Sequence, residues 1–363
     1  MTDLEDLINK EQYTLQDDEK QSLLLEIMRP QLELSLRNDH IASLYAKLRV
    51  EPSSIECLDD IPFVPVQMFK LFDLATCEHS DIFRVLRSSG TTGINQSQVP
   101  LNKRTATYQT KALKSIIQSF MGAKRRRMLV IDHQGINAST AEITARGAGV
   151  RGLSLFSKGM HYLLKQEGGT IMLDEDAIAE VSRTKDDVYI FGFTYIIWSE
   201  FYHRAKAAGF HLDLPNAVIF HSGGWKKMED RKVSREVFST SVAELFGTSP
   251  SKVHDFYGMA EQTGVIFVEC EHGHKHVPDF AHVVIRDPRT LQPCGIGETG
   301  LIQVSSPLSD SYYSQAILTE DKGTLLGIDD CPCGRKGRYF QVSGRVARSE
   351  VRGCGDTYKE SKL

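Results

Sequence analysis

Val188-Tyr189-Ile190-Phe191-Gly192-Phe193 runs without a break into Thr194-Tyr195-Ile196-Ile197-Trp198, the most apolar stretch of the chain. Its first half has the length and the aromatic and β-branched content of a strand buried on both faces. From Tyr195 the spacing becomes helical, and a helix is expected over 195–208. The whole run is half of what a bilayer requires, so no membrane span is predicted. The same alternation continues outward in both directions. Strand-like runs lie at 128–131, 170–173, 217–220 and 253–256, with helical stretches at 105–120 and 231–246. Strands alternating with helices argue for an α/β body with mostly parallel sheets.

Toward the N-terminus, Leu23, Leu24, Ile27, Met28, Leu32 and Leu36 recur at helical spacing behind the caps Asp17 and Asp18, and Pro30 predicts a kink. A second helix is expected over 42–48. The segment 61–72 carries two prolines and reads as extended, then as a short helix. Past Val265 the pattern changes to strands at 283–286, 301–304, 324–326 and 339–342. There Asp287-Pro288-Arg289-Thr290 and Pro293-Cys294-Gly295 mark a hairpin. The expected organisation is a helical segment (1–80), an α/β body (81–264), a smaller β-rich subdomain (265–345) and a mobile tail (346–363).

Lys and Arg total 43 against 47 Asp and Glu, a formal charge of −4, which excludes a dedicated nucleic-acid binder. Apolar residues at 41% and charged residues at 25% exclude wholesale disorder. The acidic start MTDLEDLINKE has no signal-peptide core, so a cytoplasmic location is the expectation. The seven cysteines form no evident disulfide framework. Cys294, Cys331, Cys333 and Cys354 all lie after residue 290, where metal ligation or thiol chemistry is the natural reading.

Arg87-Ser88-Ser89-Gly90-Thr91-Thr92-Gly93 follows the apolar stretch Phe83-Arg84-Val85-Leu86. Glycines expose backbone N–H groups in a tight turn and the hydroxyls add donors, so the loop suits a phosphate better than it suits an ordinary surface turn. No Gly-Lys-Ser/Thr follows, which removes kinase and GTPase readings built on a Walker loop.

Ser88-Ser89-Gly90-Thr91-Thr92-Gly93 resembles the nucleotide loop of adenylate-forming enzymes, the acyl-CoA synthetase superfamily. Further motifs follow in that family's order: Gly223-Gly224-Trp225-Lys226, then Tyr257-Gly258-Met259-Ala260-Glu261, then Thr319-Glu320-Asp321, then Gly344-Arg345. The resemblance implies that the body binds ATP. Gly223 and Gly224 would lie at the adenine and acyl ends. Tyr257 and Gly258 would flank the adenine, Asp321 would accept from the ribose hydroxyls, and Arg345 would start the hinge and reach the phosphates. Glu261 would hold Mg²⁺, a cation that prefers carboxylate and phosphate oxygens. Taken singly, Glu261 also reads as a solvated helix residue and Asp321 as a turn acid.

Together with Ile61-Pro62-Phe63-Val64-Pro65, Lys275-His276-Val277-Pro278 and Arg352-Gly353-Cys354, these motifs resemble the LuxE-type acyl-protein synthetases, close to the phenylacetate-CoA ligase group. That resemblance implies acyl-AMP formation from a fatty acid, then transfer to a cysteine near the C-terminus for a partner reductase or carrier. Cys354 matches that cysteine. Gly353 and Gly355 flank it, and Arg348 and Arg352 are near enough in sequence to favour its thiolate. Only 18 residues follow Arg345 in the 363, so the superfamily's C-terminal domain, with its adenylation lysine, is expected to be absent. Lys226 is the candidate replacement, with a solvated lysine an equal reading.

Cys270 and His276, with Cys331-Pro332-Cys333-Gly334 55 residues later, can close a tetrahedral structural Zn²⁺ site. His272 and His274 compete for the imidazole position, and His276 is preferred because it precedes Val-Pro. Reduced thiols and solvated histidines are the alternative. Lys124-Arg125-Arg126-Arg127 reads as a solvated loop and Asp132-His133 as a strand end, while 189–198 is acyl-pocket lining or plain core. The leading functional expectation is an ATP- and Mg²⁺-dependent acyl-adenylating ligase that loads Cys354. An acyl- or aryl-CoA ligase is the first alternative, and a non-catalytic, zinc-stabilised interaction subunit the second.

Overall fold

The computed structural model describes residues 3–87, 96–137, 145–183, 187–225 and 232–346. Among these, fifteen strands occur in chain order: β1 (Val64–Pro65), β2 (Arg84–Arg87), β3 (Gln98–Leu101), β4 (Arg126–His133), β5 (Ser157–Glu167), β6 (Thr170–Leu173), β7 (Val188–Phe193), β8 (Val218–Ser222), β9 (Val253–Gly258), β10 (Ile266–Val268), β11 (Lys275–His276), β12 (His282–Arg286), β13 (Thr299–Ser305), β14 (Ile317–Ile328) and β15 (Arg338–Arg345). The class is α/β, as expected.

A seven-stranded sheet has the order β10-β9-β8-β7-β4-β5-β6. Its five central strands are parallel, while β10 and β6 close the two edges antiparallel. Strand β7 sits between β4 and β8 with all six residues buried, which is why its sequence is continuously apolar rather than alternating. Beyond it the expected helix is interrupted. Thr194–Ile196 and His203–Ala207 are α-helical, but Ile197–Tyr202 forms a π-turn in which Trp198 and Tyr202 stack at 4.5 Å. The helices Lys103–Met121 and Arg235–Leu245 cover the sheet, contributing Phe120 against Phe220 and Phe238 against His221.

The second sheet is antiparallel, order β11-β15-β14-β13-β12, with β1 added in parallel to the start of β14. The hairpin turn after β12 is held by Asp287 Oδ1, which accepts from the N–H groups of Arg289 and Thr290 at 2.9 and 2.8 Å. The helices Asp17–Ser35, which contains Pro30, and Asp39–Leu48 pack against this sheet. Tyr45 and Tyr313 hydroxyls meet there at 3.4 Å, and Arg338 Nε donates to Asp17 at 3.0 Å. One continuous apolar core runs from Leu4 to Phe340, so both sheets share it. No helix among the described residues is long and apolar enough to cross a membrane.

Candidate functional site

Parallel strands bring their C-terminal ends to one edge, where an open α/β sheet binds its ligands. Residues of four of the sequence motifs meet there. Strand β8 ends in Gly223 and Gly224, with φ of +91° and +60°. A Cβ on Gly223 would lie 2.7 Å from the Phe193 ring at the end of β7, so only glycine fits both the backbone and the space. Trp225 follows, packed edge-on against Trp198 at 6.0 Å. Much of the 189–198 run is therefore core, with Trp198 extending the aromatic packing toward this edge.

Strand β9 delivers Tyr257 and Gly258 to the same edge. Residues 223 and 257 follow the last paired residues of β8 and β9, Ser222 and Phe256, so they lie side by side. The Tyr257 ring stacks on Phe267 at 6.0 Å and meets Phe340 edge-on at 6.4 Å. Its hydroxyl donates to Asp321 Oδ2 at 2.8 Å. Burial, reinforced by the Asp321 carboxylate, pushes the phenol well above its ordinary value, so it stays protonated and donates. Asp321 and Arg345 are cross-strand partners of β14 and β15, and Arg345 Nε donates to Asp321 Oδ1 at 2.9 Å. The sheets thus meet at Tyr257, Asp321 and Arg345. Each Asp321 oxygen accepts one of these side-chain hydrogen bonds, which orient the carboxylate and leave lone pairs for further donors.

Glu261 lies on the single 3₁₀ turn Ala260–Gln262 between β9 and β10 and is buried. Burial raises its carboxyl pKa, against hydrogen bonds from Ser97 and the backbone that lower it. Among the described residues no cation stands within ion-pair distance of it. A buried anion in this state suits a divalent cation, so the residue fits the Mg²⁺ role read from the motif. Ser97, buried near Glu261, was not singled out in the sequence.

Cys270, His276, Cys331 and Cys333 converge, their donor atoms all lying within 4.8 Å of one another. Cys270 and Cys331 sulfurs are 3.9 Å apart, and Cys333 Sγ is 3.3 Å from His276 Nε2. Two thiolates of a tetrahedral zinc with Zn–S of ~2.3 Å stand about 3.8 Å apart, so the donor set fits that ion. His274 and His276 both stack on Tyr339, at 4.7 and 5.6 Å, and His274 Nδ1 reaches Cys331 Sγ at 3.2 Å.

Ser88, Ser89, Gly90, Thr91, Thr92, Gly93, Lys226 and Cys354 lie outside the described residues. The basic run 124–127 is structural in part: Arg125 and Arg126 donate to the carbonyls of Leu155, Asn216 and Met121. Asp132 and Arg146 form a buried ion pair at the end of β4, a partnership that nothing in their spacing indicated.

Residues 2–362 match the family described as acyl-protein synthetase, LuxE. The chain belongs to that family. It is thereby an acyl-adenylate-forming ligase. Two relatives, from Vibrio harveyi and Aliivibrio fischeri, are each named long-chain-fatty-acid–luciferin-component ligase. The first is 24% identical over 97% of this chain and 92% of its own, the second 23% over 83% and 78%. In fold the LuxE family chain resembles 2-hydroxyisobutyryl-CoA ligase in an open conformation, solved with 2-HIB-AMP and CoA. The TM-score is 0.69 at 15% identity, over 92% of this chain and 77% of that one.

Proposed function

We propose that the chain activates a fatty acid with ATP and passes the acyl group to its own Cys354. The observation that carries the reading is the meeting of Tyr257, Asp321 and Arg345 beside Glu261 at the ends of the parallel strands. Asp321 would take the ribose hydroxyls and Tyr257 the adenine face. The N–H groups of Ser88, Ser89, Gly90, Thr91, Thr92 and Gly93 would cradle the phosphates, with Gly223, Gly224 and Gly258 leaving room for the acyl-adenylate and Lys226 the candidate adenylation lysine. Mg²⁺ on Glu261 would offset phosphate charge. The carboxylate oxygen bonds to the α-phosphorus and pyrophosphate leaves. The Cys354 thiolate, its proton lost to solvent, then bonds to the acyl carbon and AMP leaves. The names of the Vibrio harveyi and Aliivibrio fischeri relatives support a long-chain fatty acid as the substrate; a reductase or carrier partner would then take the acyl group from Cys354.

The same reading assigns residues 81–264 to the nucleotide-binding body, 1–80 to its helical support, 265–345 to a β-rich subdomain that adds Asp321 and Arg345 to the site, and 346–363 to thiol delivery. A structural zinc on Cys270, His276, Cys331 and Cys333 would tie β10–β11 to the β14–β15 connection; four protein ligands leave it no open position for catalysis.

Intact-protein mass spectrometry tests the reading, with wild type and Cys354→Ser incubated with ATP, Mg²⁺ and a panel of fatty and aryl acids. The expected result is a mass gain matching one acid in wild type and none in the variant. Pyrophosphate release with no adduct in either protein would instead support an acyl-CoA ligase.

A further inference from the structure

Five side chains that the proposed reaction does not use form one chain across the helix-covered face of the seven-stranded sheet. Lys275 is buried, its Nζ 2.6 Å from Asp255 Oδ2 and 3.0 Å from Glu269 Oε2. Arg235 donates to the same Glu269 carboxylate and to the carbonyls of Cys270 and Glu271 at 3.2 and 3.1 Å. Asp255 Oδ1 stands 3.5 Å from His221 Nδ1, and that nitrogen is 2.9 Å from Thr194 Oγ1. Two cations face two anions, so the charges balance without the imidazole. Withdrawing Lys275 would leave Asp255 without the cation it pairs with and Glu269 with Arg235 alone, so these positions depend on one another.

The ends of this chain fall at two places that matter. Glu269 and Lys275 stand directly before the ligand-type residues Cys270 and His276 and are bridged to each other in antiparallel register. They are the two sides of the metal turn. His221 and Asp255 are register partners on β8 and β9, two residues before Gly223 and Tyr257. Alternate residues of a strand share a face, so the row His221–Asp255 lies directly behind the row Gly223–Tyr257.

We propose that Lys275 and Asp255 are positioning residues: they form a strut through which the closed metal turn sets the placement of Gly223 and Tyr257. The proposal rests on the reading of the nucleotide site given above. With the turn closed, Lys275 holds Asp255 toward β11. With the turn open, Asp255 loses its cation and the ends of β8 and β9 lose their lateral reference.

The test uses the full chain, with AMP binding by calorimetry and zinc by elemental analysis. Lys275→Met is expected to bind AMP about tenfold more weakly, with Lys275→Arg recovering most of the loss. Asp255→Asn, of the same shape, is expected to weaken AMP binding at unchanged zinc content. Stripping zinc by chelation should weaken AMP binding in wild type and add little in Lys275→Met. AMP affinity within twofold of wild type in both Lys275→Met and Asp255→Asn would overturn the strut, and so would wild-type affinity in a zinc-stripped chain. A wild type that binds no AMP would overturn the reading of the site itself; in the first two results wild type still binds.

Discussion

The β9–β10 hairpin has two ends, and they treat buried charge in opposite ways. At the open end Asp255, Glu269, Lys275 and Arg235 answer one another within hydrogen-bond distance, beside four converging Cys and His donors. At the turn end Glu261 is equally buried, yet among the described residues no cation stands within ion-pair distance of it. A fold consistent at every level would match both. On the proposed reading the matched end serves stability, and the unmatched end keeps Glu261 for the Mg²⁺ of the nucleotide. Variants at the two ends should therefore fall into different classes of effect.

The largest effect is expected at the matched end. Cys331→Ser removes one of four ligands from a closed site, and metal binding of this kind is folding free energy. The variant should lose its zinc and at least about 4 kcal/mol of stability, read by elemental analysis and denaturant unfolding. A wild type that carries no metal and is indifferent to chelators would break the comparison at its stable end.

Asp321→Ala should come next, and in the other currency. It strips an acceptor from Tyr257 and Arg345 and removes the proposed ribose contact, a charge-assisted interaction worth about 2–3 kcal/mol. The kcat/KM for ATP in pyrophosphate release should fall roughly 30- to 100-fold while the unfolding midpoint moves little. A variant that loses stability in proportion to activity would place Asp321 with the structural charges instead.

What the sequence made legible follows the same division. Strands β6 and β7 could be read at their bounds, because a buried strand carries its own apolar signature between turn residues. The convergence of Cys270, His276, Cys331 and Cys333 was legible because few residue types bind zinc and each half of the set is a short motif. Strand β5 escaped: most of its residues face outward at the sheet margin, and in Ser157–Glu167 the buried pair is Leu163–Leu164 rather than an alternation. The π-turn at Ile197–Tyr202 has no periodicity of its own to betray it. The strut was illegible for a different reason. His221, Arg235, Asp255, Glu269 and Lys275 are ordinary polar residues until the sheet register aligns them, and register depends on long-range pairing. Tyr257, Asp321 and Arg345 could be named from motifs, but their mutual hydrogen bonds could not.

Tyr257→Phe sharpens the comparison on a smaller scale. It keeps the ring stacked on Phe267 and deletes only the hydroxyl donated to Asp321. A single hydrogen bond of this kind is worth about 1 kcal/mol, so ATP affinity should weaken about fivefold. No change in affinity would mean that the orientation of Asp321 depends on Arg345 alone.

Glu261→Gln should have the smallest effect on stability, and its sign is the most telling. Burial holds the folded-state carboxyl above the ordinary glutamate value, so ionising it opposes folding. An acid raised in this way contributes stability below its unfolded value, and that contribution is lost as pH rises through the folded value. At pH 7 the nucleotide-free wild type therefore bears the cost of burying this carboxyl, which Gln replaces with a neutral group of the same shape. The variant should be more stable than wild type by about 1 kcal/mol at pH 7, and the gain should vanish below about pH 4, where both side chains are neutral. Adding ATP with Mg²⁺ should reverse the order, because bound cation stabilises only the carboxylate. Denaturant unfolding at the two pH values, with and without Mg²⁺ and ATP, reads all of this. A Gln variant no more stable at neutral pH would move Glu261 into the matched class, and the turn end would then differ from the open end in position only.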